Sequence, residues 1–559
     1  MHYTEPLNRA IAGAIVEHWS LPCFSDYNGP TFTNAELAER IARNHILFRA
    51  LGIKPGDRIA LIGKSTTGWA LAYLSIVTYG AVVVPILSDF KLNTILHIIK
   101  HSESQLLFTG MQTWERLGET SELAIKAIIS TSSWMPLYCK QQYQRAIAPA
   151  ELDNAFRACY PQGVRPEDVH YVEQSPETLQ EINYTAGTSG FSKGVMVPGR
   201  ALASNLEFAE GVMAMQPGDP VISLLPLAHA YGQAFEFLFC FLKGCHIYFL
   251  VRVPSPRIIF QAFGQIRPRL IIIVPIIIEK IYKGKIAPRL RDPKIRLLLK
   301  TPILRARLLR QFNTTLTEAL GGNFIEVIVG GAHLNPRVEE FLKKIGFRYT
   351  VGYGMTECAP IITYAPWREH RLYTSGRPVV NMEVRIANAD PTTGVGNIEV
   401  RGANLMLGYY KRPDLTAEAF TPDGWLRTGD LGSLDADGYL TIRGRSKDMI
   451  LGPNGQNIYP EELEALIGNY PLVQEVLVKE LDGKIVALVV PDYTTLDEQG
   501  LKMADLESRL EECRLQVNEE LPAYSQISQF LVYPEEFEKT PKHSIRRFLY
   551  KAPGNKIVE

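Results

Sequence analysis

The sequence lacks the features that identify several large classes of protein. Its seven cysteines are scattered and form no C-x-x-C pair, which argues against a disulfide framework or a zinc site. Lysine plus arginine equals aspartate plus glutamate at 59 each, so the overall charge indicates no nucleic-acid partner. No uninterrupted apolar run reaches the roughly 18 residues of a membrane-spanning helix, and no basic segment precedes an apolar core at the N-terminus. Together these absences predict a cytoplasmic protein.

The composition is that of a globular protein, with 46% hydrophobic and 21% charged residues in a chain of 559. That length predicts at least two domains. Thr33 and Glu36 have the spacing of a capping box, which predicts a helix at this point. Residues 58–62 and 81–86 have the character of buried strands, and they flank a predicted helix over residues 69–77. A strand, a helix and a strand in this order form a βαβ unit and therefore predict a parallel sheet.

The rest of the chain predicts further strands and a change of texture near residue 377. Buried strands are predicted at residues 221–225, 246–250, 270–274, 326–329 and 347–351. Glycine-rich turns follow the last two, which predicts ligand-facing loops at the carboxyl ends of one sheet. Short alternating segments with many turns predict a β-rich subdomain at about residues 377–444. The predicted fold class is α/β, with a large N-terminal domain of parallel-type βα sheets and a small α+β C-terminal domain.

A loop rich in glycine and hydroxyl side chains lies within residues 183–197. Residues 184–193 are Y-T-A-G-T-S-G-F-S-K. Glycines let the backbone approach a ligand closely, and hydroxyls and a lysine bind phosphate oxygens. The spacing does not fit the Walker A motif, and Gly63-Lys64-Ser65 fails as well because Arg58 occupies the position of the first glycine. We interpret residues 183–197 as a phosphate loop of another kind; the alternative is a flexible surface turn.

Three further motifs follow the phosphate loop: Y-G-M-T-E at residues 353–357, W-L-R-T-G-D at 425–430 and G-R-S-K-D at 444–448. In this order and spacing, residues 25–550 resemble the adenylate-forming superfamily, which includes acyl-CoA synthetases, peptide-synthetase adenylation domains and beetle luciferases. The usual family loop is Y-T-S-G-T-T-G-x-P-K-G, so Ala186, Ser189 and Ser192 depart from it. The resemblance implies attack of a carboxylate on the α-phosphate of ATP, followed by capture of the acyl group by a thiol.

The resemblance also implies a role for each matched residue. The β- and γ-phosphates of ATP would be held by the phosphate loop, namely Thr185, Gly187, Thr188, Ser189, Gly190 and Lys193. Thr356 would contact the α-phosphate, and Glu357 would help bind Mg²⁺, a hard ion suited to carboxylate oxygen. Gly331, Ala332 and Tyr353 would flank adenine, and Gly354 would also belong to the ATP site. Asp430 would accept from the ribose hydroxyls, with the Arg445 cation beside them. Little covalent work would fall to the protein, so positioning and charge stabilisation would carry catalysis.

Some of these residues have a plain structural alternative. Outside this family, Asp430 and Arg445 would more often form a surface ion pair. His229, in the sequence P-L-x-H, would line the acyl and thiol channel, but a single histidine is also a common structural residue. Gly452 and Gly455 would belong to the loop that faces coenzyme A, and they also suit an ordinary β-turn.

The family pattern predicts a hinge at residues 445–448, about which a mobile C-terminal domain swivels between the two half-reactions. Lys447 occupies the hinge position, where many relatives have aspartate. The predicted boundaries are therefore residues 1–444 for the N-terminal adenylation domain and 449–559 for the C-terminal domain.

The chain departs from the last family motif, R-T-x-x-G-K-I, whose lysine bridges the carboxylate and the α-phosphate. Residues 539–545 are K-T-P-K-H-S-I, so Ser544 occupies the lysine position. A cation is expected there, because a unit charge at contact distance in a partly dry site is worth several kcal/mol. Lys542 lies two residues earlier, on the same side of an extended chain, and is the predicted substitute; Arg546 is the second choice. Ser544 also raises the alternative of a degenerate, non-catalytic ATP- or lipid-binding homologue, against which the retained motifs argue.

Residues 274–282 have the pattern V-P-x-x-x-E-K-x-Y, which is common in long-chain fatty acyl-CoA synthetases. Amino-acid-activating relatives have an aspartate near position 235, whereas this chain has a single glutamate, Glu236, among aromatic residues. Both features predict a long-chain fatty acid as substrate, although any buried helix is this apolar. The predicted co-substrates are ATP and coenzyme A, with the phosphopantetheine of an acyl-carrier protein as the alternative acceptor.

Residues 280–310, called the basic segment below, contain eleven lysines and arginines and one acidic residue, Asp292. Leucines are interleaved with these cations. The segment therefore predicts peripheral contact with an anionic membrane, where a fatty acid would be collected. A solvated basic face is the alternative.

Overall fold

A computed structural model describes residues 2–118, 123–185, 193–250, 256–451, 456–498, 500–539, 545–552 and 555–556. Within these ranges, no helix is long and apolar enough to cross a membrane. The α-helices are Leu7–Glu17, Asn34–Ala50, Thr67–Tyr79, Leu92–His101, Met111–Leu117, Gln141–Gln144, Pro149–Cys159, Gly199–Val212, Ala230–Gly232, Phe239–Leu242, Pro256–Ile266, Pro275–Ile281, Ala287–Arg291, Pro293–Leu298, Pro302–Ala319, Pro336–Lys344, Pro413–Ala419, Pro460–Ile467, Tyr493–Glu498 and Met503–Glu520. Shorter π-helical stretches are Gln233–Leu238 and Tyr282–Ile286.

An eight-stranded sheet forms the centre of the N-terminal part. Its strands, in spatial order, are Gly408–Tyr409, Lys193–Pro198, Leu179–Thr185, Val82–Leu87, Arg58–Gly63, Leu106–Thr109, Ala127–Ser130 and Pro136–Cys139. Arg58–Gly63 and Val82–Leu87 pair in parallel, and the helix Thr67–Tyr79 connects them. The predicted βαβ unit is therefore confirmed. The capping box is confirmed as well, because the Thr33 and Glu36 side chains exchange hydrogen bonds with each other's backbone N–H groups.

The five strands predicted between residues 221 and 351 are divided between two sheets and do not form one. Ile271–Ile273, Val327–Val329 and Tyr349–Val351 pair in parallel. The other sheet has the strand order Pro220–Ser223, His246–Phe249, Pro22–Asp26 and Thr31–Thr33. A single parallel bridge, Val221 to Leu270, connects the two sheets. The predicted loops at the carboxyl ends of parallel strands are therefore present, but they are divided between two sheets that a single bridge connects.

Two antiparallel sheets follow in the β-rich part of the chain. One has the strand order Met382–Ala387, Gly396–Gly402, Leu426–Leu434 and Leu440–Arg445, and the other has the order Tyr353–Gly354, Ile361–Tyr364 and Arg377–Pro378. Alternating apolar residues such as Ile398 and Val400 are fully buried, as expected for a sheet with one face on the core.

The C-terminal part has its own hydrophobic core. Its strands are Ile450–Leu451, Asn457–Ile458, Val473–Leu481, Lys484–Pro491, Gln529–Val532, Tyr550–Ala552 and Asn555–Lys556. The helices Pro460–Ile467 and Met503–Glu520 pack on this core through residues such as Ile467 and Leu510. The predicted class, α/β with a large N-terminal and a small α+β C-terminal domain, is confirmed. Mobility of the C-terminal domain stays a prediction.

Candidate active site

The phosphate loop connects two antiparallel strands of the eight-stranded sheet. Leu179–Thr185 leads into it and Lys193–Pro198 leads out, with Thr185 directly opposite Lys193. Gly194 carries no side chain because a Cβ there would lie 2.9 Å from Ile182 Cγ2. The two ends of the loop are therefore held together at the edge where a ligand would approach. The predicted loop residues Gly187, Thr188, Ser189 and Gly190 lie outside the described residues.

Thr356 and Glu357 occupy a 3₁₀ turn after the short strand Tyr353–Gly354. Thr356 is buried, whereas Glu357 is partly exposed. A hydrogen bond of 2.9 Å runs from the Tyr409 hydroxyl to Glu357 Oε1, and Lys193 Nζ lies 5.0 Å from the centroid of the same tyrosine ring. One side chain therefore connects the two charged groups that the sequence assigns to phosphate and Mg²⁺.

Asp430 lies between Tyr353 and Arg445. It faces Arg445 across two antiparallel strands, with Arg445 Nε 2.9 Å from Asp430 Oδ1, and Tyr353 donates its hydroxyl to Asp430 Oδ2 at 2.5 Å. The Asp430 side chain is only 9% exposed and that of Arg445 is 59% exposed. Burial raises the pKa of Asp430, and the charge of Arg445 opposes this shift. Each carboxylate oxygen retains a lone pair for a further hydroxyl donor.

The turn after the strand Val327–Val329 lies beside Tyr353. The Gly352 N–H donates to the Val329 carbonyl at 3.0 Å, which brings the carboxyl ends of neighbouring parallel strands together. Gly331 has a φ of +86°, a conformation that favours glycine. Both Gly331 and Ala332 are exposed. They are therefore open to a flat ligand next to Tyr353.

Two other glycines at this edge have no room for a side chain. A Cβ on Gly354 would lie 2.0 Å from the Pro360 carbonyl oxygen, and a Cβ on Gly330 would lie 3.0 Å from the Tyr231 ring. Tyr231 follows the partly buried His229 by two residues. His229 is therefore near the turn that contains Gly331, and its role in a channel stays a prediction.

Lys447 is exposed in the turn between the strands Leu440–Arg445 and Ile450–Leu451. The Asp448 N–H donates to the Arg445 carbonyl at 3.1 Å and closes this turn. The structure therefore brings the predicted hinge next to the Asp430 pair. Gly452, Gly455 and Lys542 lie outside the described residues.

The first helix of the C-terminal domain, Pro460–Ile467, contacts the N-terminal domain close to the predicted adenine turn. Glu461 Oε2 lies 3.7 Å from His333 Nε2. Asn335 donates its side-chain amide to the Ala465 carbonyl at 3.2 Å. These contacts bring the C-terminal domain beside the loop that contains Ala332.

The chemistry of these groups suits a magnesium nucleotide. Glu357 offers a hard carboxylate oxygen, and Mg²⁺ takes its other ligands from phosphates and water. The Lys193 ammonium would offset phosphate charge. Among the described residues, no three His, Cys, Asp or Glu side chains are grouped to hold a metal ion. A bound Mg²⁺ would therefore depend on the nucleotide for most of its ligands.

Two residues make contacts that no sequence motif indicated. Tyr409 belongs to no recognised motif; its only signal in the sequence is that it is the first of two tyrosines directly after Gly408. Glu236 was considered only as the single local acid, yet its carboxyl accepts hydrogen bonds from the N–H groups of Leu224 and Leu225 and from the Ser223 hydroxyl. Burial raises the pKa of Glu236 to about 8.

Comparisons with known proteins show which family the chain resembles over most of its length. The model of the AMP-binding enzyme family matches residues 15–410, and that of the AMP-binding enzyme C-terminal domain matches residues 447–552. The chain is 26% identical to the long-chain-fatty-acid–CoA ligase FadD15 of Mycobacterium bovis, over 92% of this chain and 89% of the relative. It is 24% identical to the chloroplastic long-chain-fatty-acid–[acyl-carrier-protein] ligase AEE15 of Arabidopsis thaliana, over 87% and 75%.

Among solved structures, ATP-bound MatB from Rhodopseudomonas palustris is similar with a TM-score of 0.74 and 22% identity, covering 97% of this chain and 98% of that one. This likeness concerns the fold. Because the first family model alone matches more than half of the sequence, the chain belongs to the AMP-binding, adenylate-forming enzymes.

Proposed function

We propose that the protein joins a long-chain fatty acid to coenzyme A in an ATP-dependent reaction with an acyl-adenylate intermediate. The observation that carries the proposal is the set of contacts that connects motifs far apart in the chain. Lys193 and Glu357 meet at the Tyr409 ring and hydroxyl, and Tyr353 and Arg445 meet at Asp430. The Lys193 ammonium suits phosphate oxygens, the Glu357 carboxylate suits Mg²⁺, and the Asp430 carboxylate can accept from ribose hydroxyls.

In the first half-reaction, a carboxylate oxygen of the fatty acid attacks the α-phosphorus of ATP. The bond from this phosphorus to the bridging oxygen breaks, and pyrophosphate leaves with both electrons. Lys193 and the hydroxyls of Thr185, Thr188 and Ser189 hold the β- and γ-phosphates, and Thr356 contacts the α-phosphate. Bound Mg²⁺ would supply charge neutralisation beside Glu357. The protein's own part is positioning and preorganised charge.

In the second half-reaction, the thiol sulfur of coenzyme A attacks the acyl carbon and its proton passes to solvent. The bond from the acyl carbon to the phosphate oxygen breaks, and AMP leaves with both electrons. Asp430 would keep the ribose in place by accepting from its hydroxyls, with the Arg445 charge beside it. A swivel at Lys447 would bring the loop of Gly452 and Gly455 to the thiol. The family comparison supports this sequence of steps, since a separate C-terminal domain of the family is matched from residue 447.

The state of Glu236 supports an apolar acyl tail. An amine-bearing substrate would need a carboxylate that is free to pair with it. Glu236 is 1% exposed and its Oε2 accepts from two backbone N–H groups and the Ser223 hydroxyl. A carboxyl occupied in this way is not available to an ammonium group. The similarity to long-chain-fatty-acid ligases over most of the chain points in the same direction.

The cation that bridges the carboxylate and the α-phosphate is proposed to be Lys542. The flank of its segment contacts the N-terminal domain, because Glu538 pairs with Lys91 at 3.3 Å. Lys91 follows the strand Val82–Leu87, which runs parallel to Leu179–Thr185 and ends at the same edge of the sheet. This contact brings Glu538, four residues before Lys542 in the chain, to the N-terminal domain, and it is the observation that supports the proposal.

The test of Lys542 is Lys542→Ala, compared with Arg546→Ala at the second candidate position, in assays of the separate half-reactions. We expect Lys542→Ala to lose acyl-adenylate formation from fatty acid and ATP, and to retain thioester formation from preformed acyl-adenylate. Loss of the second half-reaction with the first intact would overturn the assignment.

The proposed function is tested by pyrophosphate release over a panel of carboxylic acids, with and without coenzyme A. We expect release to be highest with long-chain fatty acids, and acyl-CoA to form only when coenzyme A is present. Adenylation without acyl-CoA, followed by acylation of a phosphopantetheine carrier protein, would favour the acyl-carrier-protein ligase. Absence of release with every acid would favour a non-catalytic homologue.

The basic segment is proposed to contact an anionic membrane at the cytoplasmic face. Three apolar side chains project into solvent among its cations: Leu297, Ile303 and Leu304 are 67%, 82% and 41% exposed. Apolar side chains next to lysine and arginine suit the headgroup boundary of an anionic bilayer. Sedimentation with vesicles of anionic lipid should show binding that weakens at high salt, and that Ile303→Ser reduces. Absence of salt-sensitive binding would exclude the membrane contact.

A further inference from the structure

Tyr409 contacts both charged groups of the proposed phosphate and Mg²⁺ site. Its hydroxyl donates to Glu357 Oε1 at 2.9 Å, and its ring centroid lies 5.0 Å from Lys193 Nζ. Among the described residues, no ion pair joins Lys193 directly to Glu357. The ring of Tyr409 therefore faces the ammonium, and its hydroxyl is bonded to the carboxylate.

Two backbone connections fix the segment that carries this ring. Tyr409 belongs to a two-residue strand that pairs with Lys193–Pro198, with Tyr409 opposite Val195. Side chains two residues apart on a strand share a face, so Lys193 and Tyr409 are diagonal neighbours across the pair. The Met406 N–H donates to the Glu357 carbonyl at 2.9 Å. The phosphate-loop strand and the Glu357 turn are thus both fixed to the segment that carries the ring.

The residues on either side of Tyr409 restrict it further. Gly408 has a φ of +139°, and a Cβ there would lie 2.7 Å from Thr416 Cγ2. The Tyr409 N–H donates to the Thr416 hydroxyl at 2.9 Å, and the Tyr409 residue is 8% exposed. A buried side chain on a fixed backbone has few alternative rotamers, so the hydroxyl stays at Glu357 while the ring stays beside Lys193.

We propose that Tyr409 is a positioning residue that keeps Lys193 and Glu357 apart and aimed at one magnesium nucleotide. The hydroxyl orients the Glu357 carboxylate toward the metal ion, and the ring face supports the Lys193 ammonium by a cation–π contact. Without the ring, the two groups would be free to pair with each other, and each would lose its ligand. This inference rests on the proposed function, because it needs Lys193 at phosphate and Glu357 at Mg²⁺.

The two contacts are separable by substitution. Tyr409→Phe keeps the ring beside Lys193 and removes only the hydrogen bond to Glu357. Tyr409→Leu removes both. Tyr410→Phe is the matched control, because Tyr410 is the next residue on the same segment and its ring packs edge-on against His101, with centroids 5.7 Å apart.

The readout is binding of a non-hydrolysable ATP analogue, measured by calorimetry with Mg²⁺ and with a chelator, on the full chain. For Tyr409→Phe we expect about ten-fold weaker binding with Mg²⁺ and unchanged binding without it, the loss of one hydrogen bond to a charged group. For Tyr409→Leu we expect weaker binding under both conditions. Tyr410→Phe should behave as the wild type. The half-saturating Mg²⁺ concentration for pyrophosphate release should rise with Tyr409→Phe in the same proportion.

The outcomes separate this inference from the proposed function. If Lys193→Ala and Glu357→Gln weaken analogue binding but Tyr409→Phe binds as the wild type, the positioning role is refuted and the proposed function stands. Equal weakening by Tyr409→Phe with and without Mg²⁺ also refutes it, since a general loss of structure would act that way. If Lys193→Ala and Glu357→Gln bind normally, the assignment of the site in the proposed function fails.

Discussion

Substitution of Asp430 by asparagine tests the nucleotide site most directly. The carboxylate is buried between two donors, Tyr353 at 2.5 Å and Arg445 at 2.9 Å. Asparagine has nearly the same shape but carries no charge, and its amide group presents N–H donors where an acceptor is needed. The variant should therefore fold, because Arg445 is mostly exposed and water can solvate it once the pair is broken.

The expected effect on ATP follows from the burial of Asp430. A hydrogen bond to a charged group is worth about 1.5–3 kcal/mol, which corresponds to a rise in KM for ATP of about 10- to 100-fold. Tyr353→Phe removes one donor and leaves the carboxylate, so its effect should be smaller, about three- to ten-fold. The KM for the fatty acid should change little in both variants, since neither residue contacts the acyl tail in the proposed arrangement.

The pH dependence gives a second, independent readout. Because burial raises the pKa of Asp430, this carboxyl becomes protonated at a higher pH than an ordinary aspartate. A protonated carboxyl accepts poorly from two ribose hydroxyls, so ATP binding by the wild type should weaken as pH falls through that pKa. Asp430→Asn should lack this acid limb. A KM for ATP within two-fold of the wild type, with an unchanged acid limb, would refute the ribose assignment.

Three other predictions concern stability. Burial raises the pKa of Glu236 from an ordinary value of 4.5 to about 8 in the folded protein. The folded state therefore keeps a proton that the unfolded chain releases, so the free energy of unfolding falls as pH rises between these two pKa values. In thermal unfolding, the wild type should lose about 2 kcal/mol of stability between pH 6 and 8, and Glu236→Gln should not. Gly354→Ala forces a Cβ to within 2.0 Å of a carbonyl oxygen and should lower the free energy of unfolding by about 3 kcal/mol or more. The control Gly211→Ala, whose Cβ would have nothing within 4 Å, should leave stability unchanged or raise it. Equal melting temperatures of the two variants would contradict the clash. Arg547→Met leaves Glu464 buried without the guanidinium that contacts it at 2.7 and 2.9 Å. The free energy of unfolding of the C-terminal domain should therefore fall by about 2–3 kcal/mol, and adding Glu464→Gln should restore part of the loss.

Local patterns determined much of the fold. The capping box of Thr33 and the apolar strands around residues 58–62 and 81–86 depend on contacts within a few residues, so their structure follows from neighbouring side chains. The sequence also predicted glycine turns at the ends of the strands Val327–Val329 and Tyr349–Val351. It did not reveal that the strand Pro220–Ser223 lies in another sheet, which meets this one through a single bridge from Val221 to Leu270, because strand pairing depends on partners distant in the chain.

The motifs supplied the chemical groups of the site, but their geometry was decided by tertiary structure. The phosphate-loop motif identified Lys193, and the Y-G-M-T-E motif identified Glu357. That a tyrosine more than fifty positions further on holds them apart depends on the pairing of Gly408–Tyr409 with Lys193–Pro198. The same holds for Glu236, which is an ordinary glutamate in the sequence and becomes a buried acceptor of backbone N–H groups only in the fold. Sequence fixes which charges are available; packing decides which of them face a ligand and which are used within the protein.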